Sequence, residues 1–304
     1  DHAVVLGETR GLTVAGLNRQ GVAQITVAVP DPDSLRARAA LDPALAEAML
    51  SPNVQLHHQP TELLLREAPK AELIIELSRL PWRDAAQGLP SDRQLRLRRS
   101  RLSDDGVYAL VVPITWMDEA SLAGLALAFA ETFPQAMAFM PSTGADHLVL
   151  VGFASRRLTP WPRLVQAVAL GGDELAAVQV RSAVELADRA LTDSEGLRAL
   201  GQRGARPSPY ALPAGLNRRP RMLLPLFVGR IITPETWLDL SAEPQRKDEL
   251  AARAEGTRRL LELLDDASRG DMEDVFEQSR ALLDAPGGAR ALDPLVAPML
   301  ARAR

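Results

Sequence analysis

The stretch Ala71-Glu72-Leu73-Ile74-Ile75-Glu76-Leu77 is a short apolar run that stops at Ser78-Arg79-Leu80-Pro81-Trp82. Such a run, bounded by a polar, proline-marked turn, predicts a strand covered on both faces, as in a parallel sheet. A sheet of that kind needs helices on both sides and gathers its chemistry at the carboxyl ends of its strands. Leu77 to Trp82 is therefore where a site is expected.

The rest of the first half supplies neighbours for that strand. Ala3 to Leu6, Gln24 to Val29, Val54 to His57 and Val107 to Val112 are further strand-like runs. Helical stretches separate them: Leu12 to Arg19, an Ala- and Leu-rich helix capped by Asp33 or Ser34, Thr61 to Glu67, and Asp92 to Leu102 with Leu95 and Leu102 on one side. Ser103-Asp104-Asp105-Gly106 reads as the turn into the fifth strand. A helix over Asp118 to Phe133 follows, then two strands, Met137 to Met140 and His147 to Phe153. The Pro141 to Asp146 connection is too short for a parallel crossover, so these two are antiparallel. The expected fold class is α/β: a methyltransferase-type Rossmann-like parallel sheet ending in an antiparallel hairpin, followed by an all-α extension. Beyond Ser155, helices are expected at Leu164 to Leu170, Asp173 to Leu191, Ala251 to Leu264, Met272 to Leu283 and Leu292 to Ala303. Arg203 to Pro225 reads as a loop, and Leu226 to Ile232 as a strand or a helical turn. The boundaries drawn from this pattern are 1–155, 156–240 and 241–304.

Composition narrows the chemistry. A net charge of -4 argues against a nucleic-acid binder driven by overall charge. With no cysteine, disulfides and thiolate sites are excluded. His57 and His58, adjacent on a strand, point to opposite faces, and neither His2 nor His147 adds ligand spacing, so no metal is expected. Ser142, Ser155 and Ser208 have no nucleophile elbow around them. Arg93, Arg96, Arg98, Arg99 and Arg101 form the strongest basic cluster and read as a solvated helix face. No apolar run approaches the ~20 residues that span a bilayer.

The order of pieces resembles the spermidine synthase-like (polyamine aminopropyltransferase) family, in its long, fused bacterial form. The resemblance runs through Glu72-Leu73-Ile74-Ile75 with Pro81-Trp82, Arg101 to Tyr108, Thr132-Phe133-Pro134 with Asp146 to Gly152, and Leu216-Asn217 to Leu223. It implies a nucleoside sulfonium held by a glycine-rich turn, an acid on its ribose, an acid on its base, and a carboxylate that takes the proton of an attacking amine. Those positions fall on Gly7-Glu8-Thr9-Arg10-Gly11, Val29, Pro60 and Leu77, with Arg218-Arg219 where the family carries a later acidic pair.

The nearest substitutes are Gly7, Gly11 and Asp31 for the cofactor and Glu76 for catalysis. Each also has a structural reading: strand-to-helix turn for the glycines, turn formation and capping for Asp31, and a salt bridge to an arginine of a covering helix for Glu76. The expectation is a catalytically inactive spermidine synthase-like domain that binds no cofactor and acts as a scaffold or interaction subunit. Its partners would be proteins, in association with a membrane complex, rather than a small molecule or nucleic acid. It would be a chain without membrane spans, cytoplasmic or extrinsic on a membrane. The competing expectation is a divergent aminopropyltransferase or methyltransferase using Glu76 or Asp31.

Overall fold

The computed structural model describes residues 1–7, 11–29, 33, 37, 39–77, 89–114, 117–140, 147–177, 180–202, 223–269, 275, 277 and 278. In chain order the first half runs β1 (His2–Leu6), α1 (Leu12–Arg19), β2 (Gln24–Ala28), α2 (Pro43–Met49), β3 (Val54–His57), α3 (Thr61–Glu67) and β4 (Ala71–Leu77). It continues with α4 (Asp92–Ser100), β5 (Leu102–Pro113), α5 (Glu119–Thr132), β6 (Gln135–Phe139) and β7 (His147–Phe153). The second half adds β8 (Thr159–Pro160), α6 (Trp161–Ala177), α7 (Ala183–Ala187), β9 (Ala190–Asp193) and α8 (Ser194–Gly201). Short 3-10 turns at Leu224–Phe227 and Pro234–Thr236, β10 (Leu238–Asp239) and α9 (Arg246–Arg269) follow.

The strands form one sheet in the order β3-β2-β1-β4-β5-β7-β6-β9. β1 to β5 are mutually parallel, whereas β7 runs antiparallel between β5 and β6. This is the methyltransferase-type Rossmann-like arrangement, with its antiparallel hairpin. β10 and β8 pair separately as a two-stranded parallel ribbon.

Three sequence expectations change. Asp173 to Leu191 is not one helix: α6 ends at Ala177, and Ala190–Asp193 is strand β9, antiparallel to β6 on the sheet edge. Its four residues are too few for a period of two to show. The arginine-rich helix stops at Ser100, because Leu102 already belongs to β5, opposite Ala71. Finally, Ser103 to Gly106 do not precede the fifth strand but lie within it: the register passes from Ala71↔Leu102 to Leu73↔Val107, so the polar residues bulge out of the ladder. A Cβ at Gly106 would lie 2.9 Å from the carbonyl oxygen of Ala71 and 2.8 Å from the Leu102 Cβ, which is why glycine closes the bulge.

Elsewhere the expected elements recur. Asp118 caps α5 by accepting from the Ser121 amide at 2.7 Å, and of the ambiguous run Leu226 to Ile232 only Leu226 and Phe227 belong to a 3-10 turn. Of the later stretches, residues 203–222 and 279–304 lie outside the described residues; Val275, Glu277 and Gln278 are helical.

The two faces of the sheet are covered differently. On one face Leu64 and Leu65 of α3, Leu95 of α4, Leu122 and Phe129 of α5, Leu197 of α8 and Leu261 of α9 join a single buried cluster with Ile74, Leu110 and Leu150. On the other face are two clusters. One gathers Val14, Leu17 and Met49 of α1 and α2 on Val5, Ile25 and Val27; the other gathers Trp161, Leu164 and Val184 with Met137 and Phe153. Ala109 and Val111 of β5 are only half-buried.

Replacing Gly106 by alanine should destabilise the fold by about 1–3 kcal/mol, since the new methyl meets backbone. Urea unfolding measures it; an unchanged midpoint would show that the bulge has room to yield.

Candidate functional site

Parallel register fixes the rim of the sheet. Leu6 aligns with Ala28 and Glu76, and Ala28 with His57, so the next residue of each strand forms the edge where ligands bind in such folds. Those residues are Gly7, Val29, His58 and Leu77.

Gly7 has a φ of 76°, and a Cβ there would lie 2.4 Å from the Leu77 carbonyl oxygen. Glycine is thus required by the approach of β1 to β4. Gly11 also has a positive φ, 73°, as the residue before α1, and its carbonyl accepts from the Ala15 amide at 2.9 Å. Both glycines have a backbone reason to be there. Val29 is buried, with its amide donating to the His57 carbonyl at 2.9 Å. Pro60 precedes α3 in extended conformation, its carbonyl accepting from Leu63 and Leu64. Asp31, Pro81, Trp82, Arg218 and Arg219 lie outside the described residues. His57 ends β3 half-buried, while His58 beyond it is exposed. Among the described residues no group of three or more metal-ligating side chains converges.

Leu77 and Glu76, one residue apart, face opposite ways, as alternation along a strand requires. Glu76 lies on the side of the buried Ile74, under α4. There Arg98 grips it with two parallel bonds, Nε to Oε2 at 2.9 Å and Nη2 to Oε1 at 3.0 Å. The Tyr108 hydroxyl from β5 donates to the same Oε2 at 2.6 Å. The remaining nitrogen of Arg98, Nη1, donates to Oε1 of Glu62 in the first turn of α3 at 2.9 Å, and the Gln94 amide donates to that oxygen at 2.9 Å. Gln94 in turn closes a capping box, its Oε1 accepting from the Ser91 amide at 2.8 Å. One arginine therefore ties together α3, α4, β4 and β5.

The electrostatics follow from that geometry. Arg98 is 2% exposed. Burial opposes its charge, but the Glu76 carboxylate outweighs burial and holds the guanidinium firmly protonated. Burial first, then the Glu76 charge, pushes the Tyr108 phenol well above its usual range, so it stays a neutral donor. For Glu62, burial acts upward, but the bond and charge of Arg98 prevail and set its carboxyl below the ordinary 4.5. Each polar group has a partner, which is what a buried network needs to be tolerated.

Sequence reasoning named Glu76 and a covering arginine, but it read Arg98 itself as part of a solvated face, which its burial under Glu76 and Glu62 overturns, and it missed Gln94 and Tyr108. A signal was present: Arg98 falls between Leu95 and Leu102 at steps of three and four, on the helix's inward side.

No family profile and no curated protein matches the sequence. Among solved structures, spermidine synthase from Thermotoga maritima is similar at 13% identity and a TM-score of 0.40, over 51% of this chain and 53% of that one. A probable spermidine synthase from Corynebacterium glutamicum ATCC 13032 is similar at 14% identity and a TM-score of 0.46, over 68% and 72%. A fibrillarin/Nop5p complex follows at 11% identity and 0.37, over 50% and 72%. The chain spans about half the length of the Thermotoga protein it matches. The site is read from the chain's own residues.

Two outcomes test the network. Arg98→Met should cost about 3 kcal/mol, because it leaves half-buried Glu76 without its counter-charge, whereas Arg98→Met with Glu76→Leu and Tyr108→Phe should recover most of that loss. Chemical denaturation of the two variants distinguishes these. As for pH, a carboxyl with a lower pKa folded than unfolded binds fewer protons when folded, so its stabilisation is complete above 4.5 and fades as pH falls through the folded value. Glu62→Gln should flatten that acid limb of the stability profile.

Proposed function

We propose that this chain is a spermidine synthase-like domain that has lost catalysis and is retained as a scaffold or interaction subunit. One observation carries the reading: the positions that the resemblance assigns to cofactor binding and to the proton acceptor are Val29, Pro60 and Leu77. A hydrocarbon side chain accepts no hydrogen bond from a ribose and takes no proton from an amine. The neighbouring acid on β4, Glu76, faces the other side of the sheet and is engaged by Arg98 and Tyr108. Using it as a base would require turning it through the strand and leaving Arg98 buried without its counter-charge.

The conformations of Gly7 and Gly11 also support the reading. Both are accounted for by the turn and by the contact with Leu77, with no cofactor needed to explain them.

Calorimetric titration with decarboxylated S-adenosylmethionine, S-adenosylmethionine and methylthioadenosine tests the proposal. No saturable heat is expected for any of the three, and binding in the low micromolar range would overturn it.

A further inference from the structure

An interaction subunit needs a surface, and charge is segregated on one helix of this chain. Between Ala85 and Ser103 the only acid is Asp92, against Arg93, Arg96, Arg98, Arg99 and Arg101. Asp92 lies in the first turn of α4, where a negative charge favours the helix dipole. Arg98 is consumed inward by Glu76 and Glu62. Arg93, Arg96 and Arg99, each three residues on from the last, are exposed, as is Arg66 on the adjoining α3. Arg99 donates to the Thr132 carbonyl at 2.7 Å, which leaves further donors outward. Among the described residues, no acidic side chain pairs with Arg93 or Arg96.

The C-terminal helix shows how the same chain treats surface arginines elsewhere. On α9, Arg246 pairs with Glu243 and Glu249, Arg258 with Glu255 and Glu262, Arg259 with Glu255, and Arg269 with Asp265. Internal neutralisation is therefore the rule on that surface, and α4 departs from it. The helix is also anchored by its capping box and by Arg98, which sets the spacing of the arginine row along α4.

We propose that the exposed arginine row of α4, with Arg66 beside it, docks an acidic protein segment, carboxylates seating on the guanidinium forks of Arg93 and Arg96. Guanidinium matches carboxylate bidentately. The patch is narrow on a chain of net charge -4. An extended polyanion such as a membrane or nucleic acid would be repelled by the rest of the surface, whereas a short acidic segment meets only the patch. This rests on the interaction-subunit reading above and gives it a surface and a partner chemistry.

The test uses the full chain and a fluorescent helical peptide of repeating Ala-Glu-Ala-Ala-Glu, followed by anisotropy, with a Gln-for-Glu peptide as control. Saturable binding at low salt is expected to the Glu peptide only, lost near 1 M salt, where the screening length is only ~3 Å. R93E/R96E should weaken it at least about tenfold, R93Q/R96Q less, and R246Q/R259Q on α9 should leave it unchanged. The variants' thermal melts check that they fold. Binding that ignores R93E/R96E, that falls equally with R246Q/R259Q, or that is absent altogether overturns the proposal. So does binding through Arg93 and Arg96 to phosphatidylglycerol vesicles in place of the peptide. Failure here with no nucleoside binding removes only this surface; nucleoside binding removes the inactive-domain reading whatever the peptide does.

Discussion

One ion pair, between buried Arg98 and half-buried Glu76, fixes how the helices of one face sit on the sheet. Arg98 and Glu76 meet with two parallel hydrogen bonds under α4, and from that pair the contacts spread to Glu62, Gln94 and Tyr108. Around it the core is hydrocarbon and aromatic: Tyr108 stacks on Phe129 and Phe133 at centroid distances of 5.7 and 5.5 Å. A polar knot in such surroundings gains little net stability over an apolar replacement, but it tolerates no partial dismantling. It therefore fixes how α4 sits over β4 and β5 more than it adds to the total.

That constraint reaches the rim. Because Glu76 is committed to one side of β4, Leu77 must face the other, and the rim residue of the central strand is apolar. Leu77 shares that edge with Val29, and Gly7 is pressed against the Leu77 carbonyl oxygen. The apolar rim and the buried network are two outcomes of one alternation along a single strand.

The parallel sheet was legible because apolar runs and proline turns alternate with helical stretches, and the hairpin because six residues cannot cross over between parallel strands. β9 was not, since four residues cannot establish a period. Nor was the β5 bulge, where Ser103-Asp104-Asp105-Gly106 has turn composition but is spanned by strand pairing on either side. At the site, Val29, Pro60 and Leu77 were reached only through the motifs of the family the sequence resembles. Arg98 was hidden by its neighbours: five arginines in nine residues look like one solvated face until Leu95 and Leu102 show which of them points inward.

The unequal covering of the sheet bears on how the chain folds. Val4 pairs with Ile74, and Ile74 with Tyr108, so β4 must find a partner far back in the sequence and another well ahead of it. Such non-local pairing is slow, because the intervening loops must close before the contacts reward it. On the face with two separate clusters, the buried residues of one lie between Ala3 and Met49, with Leu73 and Ile75 of β4 packed against them, and those of the other between Met137 and Leu250. The continuous cluster, by contrast, draws on residues from Val4 to Val275 and completes only when nearly all the described chain is in place. β4, paired with β1 on one side and β5 on the other and carrying Glu76 to Arg98, is thus the strand through which the two parts of the sheet meet.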